Sequence, residues 1–217
     1  MGAITRSIAN NITTGGVFTS SAITNASVTG ITVLANAPAD GITLISSQTA
    51  SASASLSFTT GINSTYKAYK FVFVNMHPAT DNVNFTFNMS TDSGSNYNVT
   101  KTTTFFQASH KEDGTGGVVG YETALDLAQS TGFQNITNNG GNDNDQNLGG
   151  SLTLFNPSST TYVKHFISNS SNYSGGDFAI NNFVAGYGNT TSAVNAVRFQ
   201  FSSGNIDAGT IYLYGIK

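Results

Sequence analysis

The stretch that most constrains this chain is residues 83–89, where Val83, Phe85, Phe87 and Met89 alternate with Asn84, Thr86 and Asn88. Successive side chains of a β-strand point to opposite faces, so a strict period of two gathers the apolar residues on one face and the amides and hydroxyls on the other. Val197, Phe199 and Phe201 repeat the pattern around Arg198 and Gln200. Both segments read as half-buried antiparallel strands. The glycine of "TDSG" at 91–94 suits the positive φ of a hairpin, which predicts that the strand ending near Met89 turns back through Tyr97 and Val99.

The same rhythm extends from Ile42 to the end. "FVFV" at 71–74 is apolar on both faces and reads as a central strand covered on both sides, and "GTIYLYGIK" sets Ile211 and Leu213 against Tyr212 and Tyr214, as in a strand that is central or packed on a neighbour. Further strands are expected at 56–59, 102–108, 151–156, 162–168, 178–185 and 210–216. "YETALDLAQSTGF" fits a helical face through Ala124, Leu125 and Ala128 or a strand face through Leu125 and Leu127, and is read as a strand. The expected fold is all-β: a two-sheet antiparallel sandwich of eight or nine strands, of the jelly-roll kind, preceded by an extended N-terminal arm.

That arm, with its linker, spans residues 1–41, and the sandwich spans 42–217. Between Arg6 and Asp40 there is no charged side chain, and Phe18 is the one aromatic; Ile4, Ile8, Ile12, Val17, Ile23, Val28, Ile31 and Val33 are spaced by Ser, Thr and Asn. So thin an apolar content does not offset an ordering cost of ~1–2 kcal/mol per residue within the segment itself. It reads either as an arm laid on another surface through those residues and Phe18, or as a flexible leader. "ANAPADG" at 35–41 is the linker.

Composition narrows the function. Only 9% of the 217 residues are charged, far below the ~25% of an average domain. The net charge of −3 and a pI near 5.4 give no field to hold a phosphate backbone, so nucleic acid is not the expected partner. No run approaches the ~20 apolar residues of a membrane span, and "MGAITRSIANNITTGG" lacks the apolar core of a secretory signal, so the expectation is a soluble protein made in the cytoplasm. There is no cysteine, hence no disulfide and no thiolate chemistry.

Motifs for chemistry are sparse. His77, His110 and His165 are the three histidines, and no G-x-S-x-G elbow accompanies them. "EDGTGGVVG" at 112–120 matches neither the dinucleotide fingerprint nor the P-loop and reads as a flexible loop. In "NNGGNDNDQNLGG", Asp143, Asp145 and Asn147 have the spacing that opens a calcium loop, but Leu148 stands where the turn glycine belongs and no closing Glu follows. They are weak metal candidates, and a polar turn is the simpler reading. The acidic residues are scattered, "KED" at 111–113 being the exception, so no glycosidase pair stands out. Tyr66, Tyr69, Tyr173 and Tyr187 are candidate surface aromatics on which a sugar ring would stack. The N-x-[ST] sequons, including those at Asn84 and Asn88, follow from the abundance of Asn and Thr. No enzymatic activity and no cofactor is expected.

"MGAITRSIANNIT", "SASASLSFTTGINSTYKAYKFVFVNMHPATD", "LTLFNPSSTTYVKHFI" and "FVAGYGNTTSAVNAVRFQFSSGNIDAGTIYLYGIK" resemble a group of virion structural proteins, of the capsid decoration or fibre type, from tailed phages that infect marine bacteria. The resemblance covers nearly the whole chain, less clearly at 13–40. It implies a non-enzymatic protein made in the host cytoplasm and assembled on the particle, with the major capsid protein or other virion proteins as partners and a homo-oligomer, trimeric for a fibre, as the working state. It brings no catalytic residues. The leading expectation is a capsid decoration or cement protein anchored by its arm. The alternative is a tail-fibre or receptor-binding module that recognises host surface glycan.

Overall fold

The computed structural model describes residues 41–217. The arm with Ile4, Ile8, Ile12, Val17, Phe18, Ile23, Val28 and Ile31 therefore lies outside the described residues.

Twelve strands form two antiparallel sheets, and no helix interrupts them among the described residues. They are β1 (Ile42–Thr49), β2 (Leu56–Phe58), β3 (Ala68–Pro78), β4 (Phe85–Ser90), β5 (Lys101–Lys111), β6 (Gly117–Tyr121), β7 (Gln134–Asn135), β8 (Leu148–Phe155), β9 (Lys164–Tyr173), β10 (Phe178–Gly188), β11 (Ala196–Phe201) and β12 (Ile206–Ile216). The large sheet runs β1-β12-β3-β8-β9-β10-β5-β6 and the small one β2-β11-β4-β7. The sheets pack as a sandwich.

Inward apolar residues of the two sheets interdigitate around Phe199 of β11. Its ring lies 5.1 Å from Phe71, 5.2 Å from Phe73, 5.9 Å from Phe85, and 6.3 Å from both Phe58 and Phe87. Most of these pairs meet edge to face, the arrangement that sets a positive ring edge against a negative ring face. Phe87 continues the cluster to Phe166 of β9 at 4.8 Å.

Most expected strands are present, several of them longer than expected, and the corrections have physical causes. The expected hairpin after Met89 is a crossover instead. Ser93 and Gly94 do adopt positive φ, at 60° and 90°, and Val99 N–H donates to Met89 O, but the chain then leaves the small sheet to begin β5 in the large one. This crossover covers the outer face of β4. As a result β4 is buried on both faces rather than half-buried, and Thr86 and Asn88 are as inaccessible as Phe85 and Phe87. Strand β3 is central, between β12 and β8, but is not covered on both sides, because Val72 is half-buried and Val74 exposed. Residues 122–129, read as strand, form an irregular link from β6 to β7: Thr103 N–H donates to Leu127 O, and the side chain of Gln134 donates to Leu125 O. Part of the glycine-rich 112–120 segment, read as a loop, is the edge strand β6, paired with β5 from Tyr121↔Phe106 to Gly117↔His110. Strand β12 is central, as its two apolar faces suggested, with Ile211 and Leu213 fully buried.

Phe199→Ala is expected to cost ~3–5 kcal/mol, as for buried aromatics in general. Asn88→Ala is expected to cost well over ~1 kcal/mol, because it strands buried hydrogen-bonding partners, whereas Asn169→Ala on the outer face should stay within ~0.5 kcal/mol. Denaturant midpoints of the three variants check this ordering.

Candidate functional site

Two surfaces of the large sheet stand out. The first is the outer face of the large sheet. Because β5, β9 and β10 pair in a regular antiparallel register, their outward residues form continuous rows: Phe183 stands opposite Phe106, and Phe106 opposite Tyr121. The rings of Phe106 and Phe183 stack at 4.9 Å with planes 6° apart, yet remain 43% and 39% accessible. Ile167 on β9 is 54% accessible and Val119 on the edge strand β6 is 78% accessible. No Lys, Arg, Asp or Glu occupies an outward position of β5, β9 or β10. The exposed apolar side chains here are interspersed with Thr102, Thr104, Asn169 and Asn181, and none of the outward neighbours carries a charge. Among the described residues β6 is the edge strand of the sheet beside this face.

The second surface is a cavity of about 340 Å³ at one end of the same strands, lined by His110, Glu112, Ser171, Asn172, Tyr173, Asp177 and Ala179. Tyr173 Oη donates to Glu112 Oε2 at 2.9 Å and lies 3.5 Å from Asp177 Oδ1. The hydrogen bond to Glu112, with the negative field of Glu112, Asp177 and Asp145, pushes the phenol up to about 12. The cavity thus offers an aromatic ring, carboxylates and an imidazole, a set suited to polar hydroxylated or cationic ligands.

Of the sequence-predicted surface aromatics, Tyr173 lines this cavity and Tyr187 sits on the outer face, 6.0 Å from the His165 ring. Tyr66 is half-buried against Tyr69 at 5.8 Å. Tyr69 is a correction: it is fully buried, and its hydroxyl donates to Asn63 O and accepts from Asn63 N–H, both at 2.9 Å. The structure does not bring the four tyrosines together.

Asp143, Asp145 and Asn147 are exposed on the loop before β8. Gln146 closes that loop, its N–H donating to Asp143 O and its Oε1 accepting from Asp143 N–H. Among the described residues no group of three or more His, Cys, Asp or Glu side chains is placed to hold a metal ion. His77 lies between Asp143 O at 3.2 Å and Asp207 at 3.6 Å, and no serine hydroxyl is hydrogen-bonded to any of the three histidines among the described residues.

Sequence reasoning missed two buried lysines. Lys101 and Lys164 open β5 and β9, point inward, and flank Gly188 of β10 in register. Lys101 Nζ donates to Asn88 Oδ1 at 2.6 Å and to Val99 O at 2.7 Å; Lys164 Nζ donates to Tyr162 O at 2.6 Å and Thr190 O at 3.2 Å. Burial disfavours the charged form, pushing Lys101 down to about 7 and lowering Lys164 as well. Their signal in sequence was only that each opens an alternating run.

Compared with known protein families, with curated proteins and with solved structures, the chain matches none of them.

The Tyr173 phenol should titrate near 12, above the ordinary ~10. Since its folded value is raised, the interaction is intact below pH 10 and lost as pH climbs through 12. Tyrosinate absorbance, taken as the difference between the wild type and Tyr173→Phe, should report this, and Glu112→Gln should return the phenol towards its ordinary value.

Proposed function

We propose that the chain is a non-enzymatic structural protein of a phage virion, and specifically a capsid decoration or cement protein. Residues 1–41 would attach it to the shell, the sandwich would stand outside, and it would act as a homo-oligomer on the lattice of the major capsid protein. The observation that carries the reading is the charge-free apolar outer face of β5, β9 and β10, edged by the exposed strand β6. Such a face binds by shape and burial rather than by charge, which suits repeated neighbours held in fixed geometry on a symmetric particle. Low affinity at each contact becomes strong retention when several copies engage at once, by ~100-fold or more where the geometry permits. The jelly-roll assignment belongs to this proposal. It is supported by the purely antiparallel pairing and by the chain's repeated passage from sheet to sheet at β1 to β2, β2 to β3, β3 to β4 and β4 to β5.

A second reading is favoured by the cavity around Tyr173. In a tail-fibre or receptor-binding module, a sugar of the host surface would stack on that ring and bond to Glu112, Asp177 and Asn172.

Quantitative mass spectrometry of purified virions separates the two. Decoration predicts a copy number commensurate with the major capsid protein, and loss of the chain from otherwise intact particles when residues 1–41 are removed or when Phe106 and Phe183 are both changed to Asp. A handful of copies located at the tail would reject decoration and favour the fibre reading.

A further inference from the structure

The Lys101–Asn88 contact is more than a buried hydrogen bond, because it places an amine against a carboxamide inside a closed cage. Asn88 sits on β4 of the small sheet and Lys101 on β5 of the large one, and both are fully buried. The amide oxygen accepts from Lys101 Nζ at 2.6 Å and from Met89 N–H at 2.8 Å, so its carbonyl is polarised from two sides. The amide nitrogen donates to Tyr97 O at 2.6 Å, Thr131 O at 2.9 Å and Gly132 O at 3.4 Å. Three acceptors therefore surround the group that would depart.

We propose that Asn88 and Lys101 are the site of an intramolecular isopeptide bond between the two sheets. The Nζ lone pair attacks Asn88 Cγ, and the Met89 N–H steadies the oxygen as it gains charge. The Cγ–Nδ2 bond then breaks as one proton passes from Nζ to Nδ2. Ammonia leaves, received by the carbonyls of Tyr97, Thr131 and Gly132, and an Nζ–Cγ amide remains. Nothing is oxidised or reduced and no co-reactant is consumed.

Burial supplies the first requirement, a neutral amine. With the ammonium held down to about 7, roughly half of the molecules carry the free base at pH 7. Among the described residues no carboxylate is hydrogen-bonded to either group, so proton transfer has no side-chain relay, and the bond is expected to form over hours to days after folding. The proposal does not depend on where the protein sits in a virion.

Intact-mass measurement of the full chain tests it. Incubation at pH 8.5 should produce a species lighter by about 17 Da, the mass of ammonia, in a proportion that grows with time. Trypsin should then fail to cut after Lys101, leaving the loss within a peptide that runs from Phe71 to Lys111. The rate at pH 8.5 should exceed that at pH 5.5 by about 30-fold, following the free amine. Lys101→Arg should abolish the loss. Asn88→Asp should replace it with loss of water, about 18 Da, which keeps the test open if the arginine variant does not fold. Three results would each overturn the proposal: an unchanged wild-type mass after a week, a loss that persists in Lys101→Arg or is cleared by hydroxylamine and so belongs to a succinimide elsewhere, or a rate indifferent to pH.

Discussion

The contact on which the rest of this structure depends is that of Phe199 with the rings facing it. One residue of the small sheet touches Phe71 and Phe73 of the large sheet and Phe58, Phe85 and Phe87 of its own. Around it Phe58–Phe71, Phe73–Phe85 and Phe87–Phe166 complete the aromatic layer between the sheets. The small sheet's strands are three, six, six and two residues long, so its outer members β2 and β7 are at or below the short end of the usual range. Its ladder therefore exists because the aromatic layer binds it to β3, β9 and their neighbours, and the layer in turn fixes the register in which β11 lies between β2 and β4.

Four short strands leave part of the large sheet's inner face without an apolar partner, and this explains the composition. At β9 the inward positions beyond Phe166 are Ser168, Ser170 and Asn172, while Asn182 and Gln107 occupy inward positions of β10 and β5. Three of these side chains, Ser170, Asn172 and Gln107, do the work of a missing sheet by binding the irregular segment 136–147, while Ser168 Oγ donates to Ser151 O and Asn182 Nδ2 to Asn172 Oδ1. Ser170 Oγ donates to Ile136 O at 2.9 Å, Asn172 Nδ2 to Asn138 O at 3.0 Å, and Asn138 Nδ2 to Gln107 Oε1 at 3.1 Å. A segment without a ladder still has to satisfy its backbone groups when buried, and short polar side chains are the available means. Asn88 does the same for residues 97 and 131–132 on the far side of β4.

This arrangement also sets the limit of what period two reveals. The rhythm located β2, β4, β5, β8, β9, β10, β11 and β12, because alternation marks a strand whichever face is apolar. It did not reveal that the Asn88 face of β4 is buried, since an amide facing a covering loop and an amide facing water look alike in one sequence. Strand β6 was hidden among the glycines at 114, 116, 117 and 120, and residues 122–129 looked like a strand because Leu125 and Leu127 are two apart, although Leu125 alone packs against the core. The cavity drew only Tyr173 from the sequence reading, because His110, Glu112 and Asp177 come from β5, from the residue just beyond it and from the turn before β10, and only the register of those strands brings them together.

Strand β9 carries the last step. Its inward residues include two serines and an asparagine, while Ile167, between Phe166 and Ser168, points outward at 54% accessibility. For an isolated sandwich the reverse pattern would be the stabler one, since burying an apolar side chain contributes ~1.5–3 kcal/mol and an exposed one returns nothing. The inner half of the reversal is accounted for by hydrogen bonding: Ser170 and Asn172 satisfy carbonyls of the 136–147 segment and Ser168 that of Ser151. The outer half has no such account within the described residues: Phe183 and Phe106 stand opposite each other, Ile167 lies one outward position along opposite Ala185, and all three are exposed. Exposed apolar side chains at these outward positions are the physical ground on which the proposal that this face meets neighbouring copies rests.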